Sequence, residues 1–336
     1  MFHLVGQHQS AGRSEGDLQL FLGAAHSRCG LFGKGARDPG PRTRGEHFMI
    51  AREQIWRRES LVELSSVGAR YRRSWRPPEP RRAMVVVHGY AEHIGRYDEM
   101  AMYFASRGYA VHAYDQVGHG RTKGPRGHVD RFDRLVEELA RFIELVGLEH
   151  PELPVTLVGH SMGGLVVAAT AAFQKPAVSE IVVSGALLQL GGEDSGLRQS
   201  LSLGLAKILA AVVPRVAVAT GLDPQGISRD PDVVRRYRED PLIEDRMSMS
   251  FAAGMSRMVA ATRCAASAID RPILVLHGRD DPICPVDGSR SLFAGLKPEI
   301  AQRSRLEIYP ELRHEIFQEP ERECVWEDMI QFIEDE

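Results

Sequence analysis

Only four cysteines occur in 336 residues, Cys29, Cys264, Cys284 and Cys324, and none stands in a paired spacing. That pattern suggests neither a disulfide framework nor a zinc site, and it fits a reducing compartment. No apolar run approaches the roughly 20 residues that a bilayer span needs. A convincing signal peptide is missing too, because the one apolar patch near the start, Leu18 to Ala25, is short and follows Glu15 and Asp17 instead of a basic cluster. The expected location is therefore cytoplasmic, at most peripheral to a membrane. A formal net charge of -3 removes the electrostatic reason to expect a nucleic-acid partner. What remains, with 43% hydrophobic and 26% charged residues, is the composition of a globular protein. Its length suits one large α/β domain or two smaller ones.

Regular periodicity is absent from residues 1 to about 50, where Gly, Arg, Ser and Pro are frequent, as in Gly33 to Arg42. Residues 1–50 are expected to be a disordered extension, with Met49 as a plausible alternative start, and residues 51–336 to form the folded domain. Leu61 to Leu64 and Ala69 to Trp75 flank Gly68 and predict an antiparallel hairpin. Short β-branched apolar runs follow at Ala83 to Val87, Tyr109 to Tyr114, Val155 to Val158, Ile181 to Ser184, Ile273 to Leu276 and Leu306 to Tyr309. Helical patterns over Tyr97 to Arg107, Asp130 to Leu145 and Leu165 to Gln174 separate several of them. Continuous apolar strands alternating with helices predict an α/β fold with a mostly parallel central sheet and helices on both faces.

One interval breaks the alternation. From about Leu187 to Asp270 no clear strand is visible, and two apolar patterns recur at helical spacing. One runs from Leu197 to Val212, and the other, rich in methionine, covers Met247, Met249, Phe251, Met255 and Met258. Residues 187–270 are read as a helical cap inserted at the C-terminal edge of the sheet, although ordinary core packing would explain the same apolar positions.

Chemistry enters at Gly159-His160-Ser161-Met162-Gly163, directly after the run Pro154 to Val158 and directly before Gly164 to Ala169. A serine between glycines at a strand-to-helix corner is the nucleophile elbow of the α/β-hydrolase fold. A serine hydroxyl near neutral pH needs a base within hydrogen-bond reach and an acid to orient that base. In this fold both follow the serine in chain order, acid before base. After the run Ile273 to Leu276 come Asp280 and Asp281, and spacing alone does not choose between them. After Leu306 to Tyr309 comes His314, the only histidine beyond His277. The backbone N–H groups of Met162 and of Tyr90, in the loop after Val87, are expected to form an oxyanion hole. His88, His160, Asp115 and His119 read as residues that brace their loops.

Taken together the chain resembles the monoacylglycerol lipases and bacterial lysophospholipase-like serine hydrolases. The resemblance runs from about Ile55 to the C-terminus. It is carried by His88-Gly89 through Glu92-His93 and Arg96-Tyr97, by Asp115 to Gly120, by the serine elbow, by Asp240-Pro241-Leu242, by His277-Gly278 to Asp281, and by His314-Glu315 with Glu319. It implies Asp281 as the acid and Ser161, Asp281 and His314 as a catalytic triad. It also implies Glu92 and Arg96 as substrate-binding candidates near the alcohol end of the pocket, with a bracing salt bridge as the alternative reading. Tyr90 departs from the small residue common in relatives. The implied substrate is a small-molecule lipid ester, most directly a monoacylglycerol, with a lysophospholipase or general carboxylesterase as the neighbouring reading and a non-catalytic lipid-binding homologue as the distant one. Transient contact of the cap with a membrane surface would follow. Acyl transfer by such a set needs neither a metal nor an organic cofactor, so none is expected, and the sequence says nothing of oligomeric state.

Overall fold

The computed structural model describes residues 49–64, 68–191 and 212–335. The expected extension before Met49 and nearly all of the predicted helix from Leu197 to Val212 lie outside the described residues. Ten strands are present among those described: β1 (Trp56–Glu63), β2 (Ala69–Arg76), β3 (Arg82–Val87), β4 (Tyr109–Tyr114), β5 (Val155–His160), β6 (Glu180–Ser184), β7 (Ala217–Ala219), β8 (Arg246–Ser248), β9 (Ile273–Gly278) and β10 (Arg305–Tyr309). Eight of them form one sheet in the order β1-β2-β4-β3-β5-β6-β9-β10. The β1–β2 hairpin is antiparallel to itself and to β4, and every pairing from β4 to β10 is parallel. This is an α/β-hydrolase fold.

The parallel strands other than the edge strand β10 are buried on both faces, which is why most of each reads in sequence as an apolar run. Side chains alternate between two cores. Ala83, Val85 and Val87 of β3 and Leu157 of β5 face one core, shared with α2 (Asp133–Glu149) and α3 (Met162–Phe173). Met84, Val86 and Val158 face the other, shared with α1 (Asp98–Ala105) and a C-terminal helix (Arg322–Asp335). Helices therefore cover both faces, as the alternation predicts. Parallel strands also share a direction, so the loops after β3, β5, β9 and β10 open along one edge of the sheet.

The insertion departs from expectation in one respect. Two further helices, Pro231–Glu239 and Met249–Cys264, lie within it, but so does a two-stranded antiparallel ribbon of β7 and β8. Three residues per strand are too few to show a period of two, so the ribbon left no trace in the sequence pattern. Met247 consequently sits in β8, not in the methionine-rich helix. That helix does both of the jobs its composition allows. Phe251, Met258 and Val259 are buried in the core beneath α3, whereas Met255 faces a cavity. Among the described residues no helix is long and apolar enough to cross a membrane. Cys264 and Cys284 are free thiols.

The hairpin is tied to the domain by a buried ion pair. Arg70 of β2 and Glu138 of α2 have side chains only 1% exposed, and Arg70 Nε donates to Glu138 Oε2 at 2.9 Å. Arg134 Nε donates to the same carboxylate at 2.8 Å. Removing one partner of such a pair leaves an uncompensated buried charge. Glu138→Gln is expected to lower the unfolding free energy by about 3–5 kcal/mol, read from urea midpoints. Replacing both partners, Arg70→Met with Glu138→Leu, should recover most of that loss.

Candidate active site

Ser161 follows β5 and caps α3 with φ 55° and ψ -120°. A non-glycine residue there costs on the order of 1–3 kcal/mol and persists only when its surroundings over-determine it. Three backbone hydrogen bonds do so: Ser161 N–H donates to Ser184 O at 2.9 Å, and Ser161 O accepts from Leu165 N at 3.1 Å and Leu187 N at 3.0 Å. The flanking glycines make the corner possible. A Cβ on Gly159 would lie 2.5 Å from Gly163 O, and one on Gly163 would lie 2.2 Å from Val87 O. Both are close approaches that only glycine allows.

The corner points the serine at His314, in the loop after β10. Ser161 Oγ donates to His314 Nε2 at 2.9 Å, and His314 Nδ1 donates to Asp281 Oδ2 at 2.8 Å. Asp281 lies after β9 and accepts through Oδ1 from Ile283 N at 2.8 Å and Cys284 N at 3.0 Å. Its Oδ2 is also 3.1 Å from His277 Nε2. Asp280 instead turns outward to Arg279 at 3.0 Å. Geometry thus separates the two aspartates that spacing left equivalent. Burial opposes the charge on Asp281, but attraction to His314 and the hydrogen bonds from His277 and His314 overcome it and hold the carboxyl below its ordinary range. Burial likewise opposes an imidazolium at His314, yet Asp281 outweighs it and raises the imidazole above its ordinary value.

The loop after β3 lies against this group. A Cβ on Gly89 would lie 3.0 Å from Ser161 Cβ, so the backbone before Tyr90 passes directly beside the serine. On the other side Met162 begins α3, where the first N–H groups have no partner within the helix. His88 and Gln116 hold the loop: Gln116 N donates to His88 Nε2 at 3.0 Å, and Gln116 Nε2 donates to His88 O at 2.7 Å. Asp115 Oδ1 accepts from Ile94 N at 2.9 Å and Oδ2 from Arg121 N at 2.7 Å, the bracing role expected of it.

A cavity of about 350 Å³ opens above Ser161. Leu187 and Ile283 wall it from the domain, and Val218, Ile227, Met247 and Met255 wall it from the insertion. Glu92 and Glu315 also line it. Glu92 is buried and accepts from Gly89 N and from Tyr97 Oη at 2.8 Å, while Arg96 reaches its other oxygen at 3.1 Å. Burial raises the Glu92 carboxyl, Arg96 opposing. Arg96 grips Glu315 with two hydrogen bonds, of 2.5 and 2.6 Å, and stacks over Tyr237 at 4.9 Å. Of the two substrate-contact candidates, then, Glu92 lines the cavity and Arg96 stands behind Glu315 as a brace. Glu315 and Tyr237 were missed as cavity residues. The four-residue step from Glu92 to Arg96 is visible in sequence, but their partners come from distant loops.

Among the described residues one cluster has metal-like donors, His112, Glu149 and His150, with ligand atoms within 4.8 Å of one another. Arg72 already holds it. The guanidinium donates to Glu149 through both Nη atoms and to His112 Nδ1 at 2.8 Å, placing a positive charge where a cation would have to sit.

Fold and site together define a serine hydrolase of the α/β-hydrolase superfamily. The model of the family described as serine aminopeptidase, S33, matches residues 78–321, and the chain belongs to that family, among its lipases and esterases related to monoacylglycerol lipases. It is 36% identical over 261 residues to a monoacylglycerol lipase of Mycolicibacterium smegmatis, covering 77% of this chain and 90% of the relative. It is 29% identical over 256 residues to a phospholipase of Bacillus subtilis, covering 75% and 95%. Of solved structures, the crystal structure of Paleococcus ferrophilus monoacylglycerol lipase superposes with a TM-score of 0.69 at 33% identity, covering 79% of this chain and 98% of that one.

The electrostatics give a pH dependence with a definite sign. A base must be neutral to accept a proton, so kcat/KM for a p-nitrophenyl ester is expected to fall as pH drops through the His314 pKa, above the ordinary value of about 6.5. Asp281→Asn removes the attraction that raises it. The acid limb should then move to lower pH, with kcat/KM down by about 10⁴-fold, as in serine proteases that lose this carboxylate. A pH–rate profile of both proteins checks the shift.

Proposed function

We propose that the protein is a monoacylglycerol lipase that works through an acyl-enzyme on Ser161. The observation that carries this reading is the unbroken hydrogen-bonded line from Ser161 Oγ through His314 to Asp281, at the floor of an apolar cavity. His314 Nε2 takes the serine proton as Oγ attacks the ester carbonyl. Asp281 holds the imidazole by Nδ1–H and stabilises the positive charge that forms. The carbonyl oxygen becomes an oxyanion facing the N–H groups of Tyr90 and Met162, the latter at a helix N-terminus whose dipole favours negative charge. Collapse of the tetrahedral intermediate breaks the ester C–O bond, and His314 returns the proton to the leaving alcohol. Water, deprotonated by His314, then attacks the acyl-enzyme and frees the fatty acid and Ser161.

The substrate class follows from the lining of the cavity. Val218, Met247, Met255 and Ile283 suit an acyl chain, and methionine adapts to irregular shapes. The same described lining contains Glu92, Glu315 and Asp223 but no lysine or arginine. Arg96, which stands behind Glu315, is committed to it. Carboxylates without a free cation favour a hydroxyl-bearing alcohol over a phosphate-bearing one. The phospholipase relative keeps lysophospholipids as the second reading.

Ser161→Ala is expected to reduce ester hydrolysis by about 10⁴-fold or more while leaving the circular dichroism spectrum unchanged. Wild-type turnover by this variant would reject the nucleophile. Comparison of a monoacylglycerol with a lysophospholipid of the same acyl chain should favour the monoacylglycerol by about tenfold in kcat/KM, the worth of one charge-assisted hydrogen bond. The opposite preference would select the phospholipase reading.

A further inference from the structure

We propose that the Tyr90 hydroxyl determines acyl-chain preference by latching the β7–β8 ribbon of the insertion to the loop beside Ser161. This rests on the reading of Ser161 as the acylated residue and deepens it.

Tyr90 faces two ways. Its backbone belongs to the loop that passes beside Ser161, while its phenol leaves that loop and donates to the carbonyl oxygen of Arg246 at 2.5 Å. Arg246 begins β8 and pairs with Ala219 at the end of β7. A two-stranded ribbon is marginal by itself, and this one has three residues per strand, so its position depends on what it touches outside. The contact point is built for closeness. Ser248 N donates to Gly127 O at 3.0 Å. A Cβ on Gly127 would lie 2.0 Å from Arg246 O and 2.9 Å from Tyr90 Oη, so the Gly127 backbone, the Arg246 carbonyl and the phenol meet where no side chain fits between them. The Tyr90 ring is held edge-on against Phe251, with centroids 5.2 Å apart, and against His119, at 5.0 Å. Edge-to-face contacts of this kind fix the ring plane, and a fixed ring aims its O–H at one acceptor.

The ribbon is also a wall of the cavity. Val218, Ala219, Thr220 and Met247 line it, and Tyr90 stands among the same lining residues. The hydroxyl therefore sets the distance between that wall and the serine. An acetyl or butyryl group occupies a small part of about 350 Å³ and leaves most of the wall untouched, whereas a long acyl chain fills the space and rests against it. Differential contact of this kind is what makes a residue specificity-determining. Tyr90 is in this sense a positioning residue, distinct from the donor role of its own N–H.

Tyr90→Phe retains the ring and the backbone N–H and removes only the O–H. The decisive quantity is the ratio of kcat/KM for a long-chain ester, p-nitrophenyl laurate, to that for a short one, p-nitrophenyl butyrate. In Tyr90→Phe this ratio is expected to fall about 5–10-fold relative to wild type, the worth of one hydrogen bond, with the loss carried by KM for the laurate. Amide hydrogen exchange over residues 217–220 and 246–249 should quicken, while that of β5 stays as in wild type. An unchanged ratio overturns the proposal, including the case where both esters lose equally, since the hydroxyl would then act on the reaction centre and not on the wall. A lowered ratio without faster exchange in the ribbon overturns the latch. If Ser161→Ala turns over both esters like wild type, the reading of the site fails and this proposal falls with it.

Discussion

Ser161 is held in a backbone conformation that it would not adopt alone, and the rest of the site is arranged around that constraint. At φ 55° its backbone is strained, and release would need Ser184, Leu165 and Leu187 to give up hydrogen bonds to it at once. The corner is also packed from outside, since Gly163 passes so close to Val87 that a side chain there has no room. One consequence is directional. The hydroxyl leaves the sheet at the edge where parallel strands end, and the loops carrying Tyr90, Asp281 and His314 follow strands that end at the same edge. The convergence of four residues spread over more than two hundred positions is thus a property of parallel pairing and not of any long-range signal between them.

Charge is placed as selectively as backbone strain. Asp281 is buried, yet its carboxyl is held below the ordinary range by attraction to His314 and by the hydrogen bonds of His277 and His314, while its other oxygen accepts from the amides of Ile283 and Cys284. The histidines around it are treated in the opposite way. Burial keeps His88 and His160 far below their ordinary range and pushes His119 down to about 4, so each is a neutral brace at neutral pH. Of the imidazoles packed near the serine, His314 is the one whose basicity is raised, and the cause is its contact with Asp281. Burial is common to these four, and for His314 the adjacent Asp281 carboxylate outweighs it.

What could be read from the sequence follows the range of the interaction that produces it. The parallel strands were legible to within one or two residues, because for all but the edge strand β10 burial on both faces writes an apolar run that needs no partner to be recognised. The serine corner was legible because its glycines, strand and helix are contiguous. Asp280 and Asp281 were not separable, because they are adjacent and the choice is made by where the turn after Gly278 aims each carboxylate. His277 as a second partner of Asp281, Glu315 as the partner of Arg96, and Tyr237 stacked over it are contacts between segments far apart in the chain, and no local pattern encodes them. The β7–β8 ribbon was hidden for a different reason, being shorter than the period that would reveal a strand.

Among the described residues, direct hydrogen bonds join the insertion to the loops around Ser161. On one side the Tyr90 phenol meets the Arg246 carbonyl. On the other, Glu315 N donates to Ile227 O at 2.7 Å, next to the histidine itself, and the buried Glu319 accepts from Arg313 N at 2.8 Å, Arg229 N at 3.0 Å and Ser228 Oγ at 3.1 Å. Glu319 thereby joins the loop of His314 to the insertion through a single carboxylate. The insertion is thus bonded both to the loop of Tyr90 and to the loop of His314. The walls of the cavity and the position of His314 therefore draw on the same few hydrogen bonds.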